Sequence, residues 1–279
     1  MRDETTAMRH AIDPKIDCVF KALLGSETNR GLLIHFLNAT LAADLVAPII
    51  EVDILNPYNE REFLDDKLSI VDVKARDPQG RIYQIELQLL NLPQLPQRIL
   101  YGWTDLYSSQ LQSGEDYDQL QPTYAIWLLG QTLRRGIPEW FHRLRLRDDQ
   151  GRELVDHGGL YLLELSKFPT EHISNELERW LAFFIEAPRL DDTQLPEWMH
   201  TKEMQQAMTT LKQFSDKERA YHAYQARQNY LRQQRSIQRH MEALRAEVEQ
   251  ERAEKDAALQ REAAALAELE RLKAQQRDN

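Results

Sequence analysis

Lys67-Leu68-Ser69-Ile70-Val71-Asp72-Val73-Lys74-Ala75, then Asp77-Pro78-Gln79-Gly80, then Ile82-Tyr83-Gln84-Ile85-Glu86-Leu87-Gln88-Leu89 is the stretch on which the fold turns. Each arm alternates apolar with polar residues, and the turn between them holds Pro and Gly, so the segment predicts a β-hairpin. In a strand successive side chains point to opposite faces. Val71, Val73, Ile85 and Leu87 therefore share a face that fits a core, while Asp72, Lys74, Glu86 and Gln88 share the other.

The length of the turn decides whether the two acids meet. A two-residue loop would pair Asp77 with Gly80 and put Asp72 and Glu86 on opposite faces. A three-residue loop is favoured, because Pro78 suits the second position of a type I turn and Gly80 can take the left-handed conformation that closes it. Asp77 then pairs with Arg81, Asp72 stands opposite Glu86, and Ile70 stands opposite Gln88. Carboxylates that close repel unless a cation lies between them. An oxygen-rich pair suits Mg²⁺, with Mn²⁺ as an alternative, since Mg²⁺ takes one or two carboxylates, keeps several waters and binds substrate phosphate.

An Asp on one strand followed by Glu-x-Gln on the next is similar to the PD-(D/E)XK nuclease signature, with Gln88 where Lys is usual. The order of segments is more specific. Asp13-Pro14-Lys15-Ile16-Asp17-Cys18-Val19-Phe20-Lys21, Phe36-Leu37-Asn38, Ile54-Leu55-Asn56-Pro57, Asp65-Asp66-Lys67 and the hairpin together resemble the bacterial Rpn family. That family is the recombination-promoting nuclease or transposase branch of the superfamily, and the similarity covers roughly residues 12 to 190. The resemblance implies that Asp72 and Glu86 bind metal, that Gln88 holds the third motif position, and that Asp17 matches an accessory acid on the first helix. It also implies DNA as the substrate. A neutral amide at residue 88 can orient water or phosphate but supplies no charge. Lys74, two residues beyond Asp72 on the same face, could supply it, or it could be a solvated strand lysine.

Composition sets limits. The chain has 279 residues, 42% of them hydrophobic, enough for a substantial core. A single cysteine, Cys18, excludes a disulfide framework and fits a reducing cytoplasm. No run is long and apolar enough to span a bilayer, so no membrane partner is expected. The net charge of −10 opposes the basic footprint of a DNA-binding domain. Arg134-Arg135 and Arg143-Leu144-Arg145-Leu146-Arg147 form a local basic strip, which reads equally as a phosphate-facing surface or as an amphipathic strand with exposed arginines.

Pro14 begins a first helix reaching about Leu24, and Gly25-Ser26 separates it from a second that carries Leu32, Leu33, Phe36, Leu37 and Leu41. Ile50 to Leu55 reads as a strand. Pro93 and Pro96 open a long helix containing Arg98, Tyr101, Trp103 and Tyr107, and Tyr124 to Leu129 reads as a buried strand. His142 to Arg147 and Leu160 to Leu165 form a second β section after residue 130, followed by a helix over Glu176 to Glu186. The expected fold class is α/β or α+β, a restriction-endonuclease-like core with a mixed central sheet flanked by helices. Its domain spans residues 1–190, with a linker and short helix over 191–214.

Residues 215–279 contain no Pro or Gly and predict a long charged helix, opened by Ser215-Asp216-Lys217-Glu218 as a capping box. Ile237, Met241, Leu244 and Val248 keep a coiled-coil spacing that Glu251, Lys255 and Glu262 interrupt. It reads as a weak homodimer seam or as a solvated single helix held by i,i+4 charge pairs. Histidines lack the i,i+4 spacing of a helical zinc site. Two functions follow: a Mg²⁺-dependent DNA endonuclease working through Asp72, Glu86, Gln88, Lys74 and Asp17, or a catalytically weak nuclease fold acting as a binding module through its C-terminal helix.

Overall fold

Helices α1 (Asp17–Leu24) and α2 (Arg30–Leu41) precede strands β1 (Asp53–Ile54), β2 (Asp72–Arg76) and β3 (Ile82–Gln88). Helix α3 (Leu95–Ser108) leads to β4 (Thr123–Leu129), β5 (Phe141–Leu144) and β6 (Gly158–Glu164). Helices α4 (Glu176–Glu186), α5 (Lys202–Asp216) and α6 (Glu218–Arg277) follow. The structure is a computed structural model that describes residues 10–56, 72–91, 93–191 and 194–277. Ile70, Val71 and the Asp65-Asp66-Lys67 segment of the hairpin approach lie outside the described residues.

The strands form a mixed sheet in the order β1-β2-β3-β4-β6-β5. β2 and β3 are antiparallel, β3, β4 and β6 run parallel, and β5 returns antiparallel on β6. Parallel neighbours need a crossover, and α3 provides it between β3 and β4. β4 and β6 are buried along their whole length, as expected of strands covered on both faces. The architecture is α/β, a mixed sheet flanked by helices with a long C-terminal helix.

Alternation gives the sheet two covers. Ala125, Trp127, Leu129, Leu160 and Leu162 form one core with Leu95 and Ile99 of α3. Val73 and Ile85 turn to the opposite face, where Val73 packs beside Gly25 at the end of α1. On the helical side Phe20, Phe36, Trp180 and Phe184 pack edge-on and tilted, with ring centroids 5.7–6.3 Å apart, so α1, α2 and α4 share an aromatic core. Edge-to-face geometry is favoured by the ring quadrupole. The Trp180 indole donates to His35 Nδ1 at 2.9 Å.

Boundaries differ from expectation in five places. The first helix begins at Asp17 because Asp13 and Pro14 form a turn closed by Ile16 N donating to the Asp13 carbonyl. The strand expected over 50–55 is confined to Asp53–Ile54, and β5 stops at Leu144. The first compact unit continues through Arg227 and the second comprises Gln228–Asn279, so the boundary expected near residue 190 falls inside the first. The polar composition of 202–216 concealed an apolar stripe of Met204, Ala207, Met208 and Leu211, which α5 buries against α1 and α2. Ser215 does not open a helix. It ends α5, buried, and its hydroxyl accepts a hydrogen bond from His10 N at 2.8 Å. Tyr221 stacks on His10 and the Tyr224 hydroxyl accepts from Asp13 N at 3.1 Å, so the first turns of α6 belong to this core.

Candidate active site

The hairpin closes with Gly80 at φ +85°, a conformation open to glycine and strained for other residues. Gly80 N donates to the Asp77 carbonyl at 2.9 Å and Asp77 N to the Arg81 carbonyl at 3.2 Å. The Asp77 carboxylate, fully buried, accepts from Arg81 N at 3.0 Å, Arg81 Nε at 2.6 Å and the Tyr83 hydroxyl at 2.7 Å. The three-residue turn and the burial of Val73 and Ile85 set the register: Asp72 opposite Glu86, Val73 opposite Ile85, Lys74 opposite Gln84.

Glu86 projects beneath α3 near the carboxyl end of β3, where ligands collect in open α/β sheets. Its side chain is 7% exposed. Gln84 Nε2 donates to one carboxylate oxygen at 2.9 Å and Arg98 Nη2 to the other at 3.3 Å. Arg98 Nη1 also donates to Gln88 Oε1 at 2.9 Å, while Gln88 Nε2 donates to the Leu90 carbonyl at 2.6 Å. The guanidinium lies 5.7 Å from the centroid of the Trp127 ring. α3 lies close over the site: a Cβ at Gly102 would stand at ordinary contact distance, 3.9 Å from Glu86 Oε1 and 3.7 Å from Trp127. Two buried polar atoms beside this cluster, Gln84 Oε1 and Trp127 Nε1, have no hydrogen-bond partner among the described residues. Such orphans mark places where a ligand or water belongs.

Residues 14–240 match the family described as PD-(D/E)XK nuclease family transposase. The chain belongs to that family. No curated protein and no solved structure matches it. Membership makes the chain a nuclease-fold protein whose substrate class is DNA, and among the described residues no helix is long and apolar enough to cross a membrane.

In this PD-(D/E)XK chain the positions expected from the sequence fall into two groups. Asp72 pairs with Glu86 across the hairpin, Gln88 shares the Glu86 face, and Lys74 is set opposite Gln84. The Lys74 backbone ties the hairpin to the β1 segment, its N–H donating to Asn56 Oδ1 at 2.7 Å. Asp17 stands apart. It lies on α1, which packs on the Val73 face of the hairpin, and its carboxylate accepts from Cys18 N at 2.8 Å and faces Arg227 Nε at 3.4 Å. Burial pushes the Asp17 carboxyl above the ordinary range, Arg227 opposing this. Burial raises the Cys18 thiol as well, to about 12, with Asp17 adding to the shift, so Cys18 is a protonated core thiol.

Arg98 and Gln84 are the site residues not singled out from the sequence. Gln84 follows the same alternation that marks Glu86 and Gln88, whereas Arg98 becomes visible only when α3 is laid on the sheet. The arginines of the second β section are held in ion pairs. Arg145, 8% exposed, pairs with Asp44 at 2.9 Å and stacks on Tyr161, and Arg147 pairs with Glu153 at 3.1 Å. Lys167 Nζ gathers the carbonyls of Arg134, Ile137 and Glu139 and the Glu164 carboxylate. His142 Nε2 lies 3.1 Å from the same Glu164 carboxylate oxygen, and no group of three metal-binding side chains occurs among the described residues.

Proposed function

We propose that the protein is a divalent-cation-dependent DNA endonuclease, hydrolysing phosphodiester bonds with Asp72 and Glu86 as the ligands of Mg²⁺ or Mn²⁺. The observation that carries this is the register that sets Asp72 opposite a deeply buried Glu86 in a chain of this family. The donor set fits a hard cation: carboxylate oxygens and the orphaned amide oxygen of Gln84. Such an ion supplies Lewis acidity toward phosphate and lowers the pKa of water.

The chain's own groups would do the rest. Gln84 holds one oxygen of Glu86, so the carboxylate is oriented before anything binds. Gln88, fixed through Leu90 and Arg98, presents an amide that orients the attacking water. Lys74 contributes positive charge from the neighbouring strand. Asp17, engaged by Arg227, has no assigned step.

A second proposal concerns assembly. In the second unit Ile237, Met241, Leu244 and Val248 are 41–57% exposed and line one stripe of the helix. A parallel, in-register pair of copies would bury this stripe and set Glu247 of each helix against Arg252 of the other, the g–e contact of a coiled coil. Sedimentation of the full chain against an Ile237→Glu/Leu244→Glu variant tests it: a wild-type monomer at all concentrations refutes the pairing.

For the chemistry, supercoiled plasmid is incubated with Mg²⁺ or Mn²⁺ and wild type, Asp72→Ala or Glu86→Gln. Nicking by the wild type alone supports the assignment. A wild type that leaves DNA intact with either ion, or variants that cut as well as it does, would sink it.

A further inference from the structure

We infer that Arg98 supplies the positive charge that the motif lysine provides in related nucleases, reaching the scissile phosphate from α3 while Gln88 occupies the strand position. The inference rests on the endonuclease assignment above and names a residue within it. Gln88 Oε1 accepts from Arg98 Nη1 at 2.9 Å, so the guanidinium lies one hydrogen bond beyond the tip of side chain 88, close to where a lysine ammonium at that position would reach. Its second amino group touches Glu86 at 3.3 Å. The same cation thus contacts both motif positions on β3.

Accessibility separates Arg98 from a merely structural counter-ion. Its side chain is 38% exposed while that of Glu86 is 7% exposed. A guanidinium carries five N–H donors in a planar fork suited to phosphate. Two are used on Gln88 and Glu86, leaving donors directed elsewhere for a non-bridging oxygen. Trp127 lies beneath the group and holds its plane. In the hydrolysis a water oxygen bonds to phosphorus, one P–O ester bond breaks, the water proton passes to solvent, and the leaving oxygen takes a proton from solvent. The added negative charge on the non-bridging oxygens is what a fixed guanidinium stabilises.

The full-length wild type is compared with Arg98→Gln, Lys74→Gln and the double variant Gln88→Lys/Arg98→Gln. Three readouts are taken: single-turnover plasmid cleavage in Mg²⁺, calorimetric Mn²⁺ binding without DNA, and melting temperature. Arg98→Gln should cut about 10²-fold or more slowly, the scale of losing one transition-state donor. It should bind Mn²⁺ roughly threefold or more tightly, because a competing cation beside Glu86 is gone. Gln88→Lys added to Arg98→Gln should recover at least about tenfold of the lost rate by returning a charge to the site. A structural role would instead weaken cleavage, Mn²⁺ binding and melting together, and that result overturns the inference. So does an Arg98→Gln rate within about threefold of wild type, or a loss confined to Lys74→Gln, which would assign the charge to Lys74. If the wild type itself does not cut, the endonuclease assignment falls and this one falls with it.

Discussion

Replacing Asp77 with Ala tests how strongly the fastened turn holds the hairpin that carries the site. The carboxylate is fully buried and accepts from Arg81 N, Arg81 Nε and the Tyr83 hydroxyl. Breaking a buried, hydrogen-bonded ion pair costs about 3–5 kcal/mol. Arg81 remains 21% exposed and can recover water, whereas Tyr83 is fully buried and its hydroxyl cannot. The low end applies, about 3 kcal/mol, or roughly a hundredfold in the ratio of folded to unfolded chain. Urea unfolding followed by circular dichroism should show a lower midpoint with unchanged slope. The register itself should survive, because a one-residue slip would turn Val73 and Ile85, both essentially inaccessible, out of the core. Cleavage measured well below the transition should therefore persist. A stability loss under about 1 kcal/mol would refute the fastening argument. Full stability with lost activity would show that the turn had reset the register.

The other expectations are shorter. Asn175→Ala removes the side chain that accepts from Glu178 N at the start of α4 and should cost about 1 kcal/mol in denaturant unfolding. Asp17→Asn should alter the pH profile of stability: with the folded carboxyl raised above its unfolded value, the wild type loses stability as pH rises through that window, and the melting temperature of the variant should lack this component. Cys18, buried with its thiol pushed up to about 12, should resist iodoacetamide at pH 8 in the native protein and react once urea unfolds it, as mass spectrometry would read. A chain ending at Arg227 should fold cooperatively, whereas one ending at Ser215 forfeits Tyr221, Tyr224 and Arg227 and should melt lower.

The hairpin was legible because everything that sets it is local: Pro78 and Gly80 choose the turn, and a period of two chooses the faces. The buried strands β4 and β6 were legible as apolar runs. Their parallel pairing with β3 was not encoded in any short segment, and rested on the family resemblance. A short helix was expected within 191–214, but the core face of α5 was hidden by its lysines and glutamines, since four apolar residues spread over eight positions are faint against a polar background. Arg98 was hidden for a different reason: its partners lie 10 and 12 residues upstream on another element, and a half-exposed arginine in a first helical turn carries no local mark. Arg143, Arg145 and Arg147 looked open to phosphate from the sequence alone, which does not show that Asp44, remote in sequence, and Glu153, across the following turn, stand against them.

That last arrangement bears on aggregation. Among the described residues the sheet ends on one side in a two-residue β1 and on the other in a four-residue β5 whose neighbouring Arg145 is folded down onto Tyr161 and Asp44. Short edges with ion-paired arginines offer little template for an added strand. Copies of this chain therefore meet poor prospects for cross-β stacking through the native sheet, and neutralising Asp44 should loosen that guard by freeing the arginine that helps cap the edge.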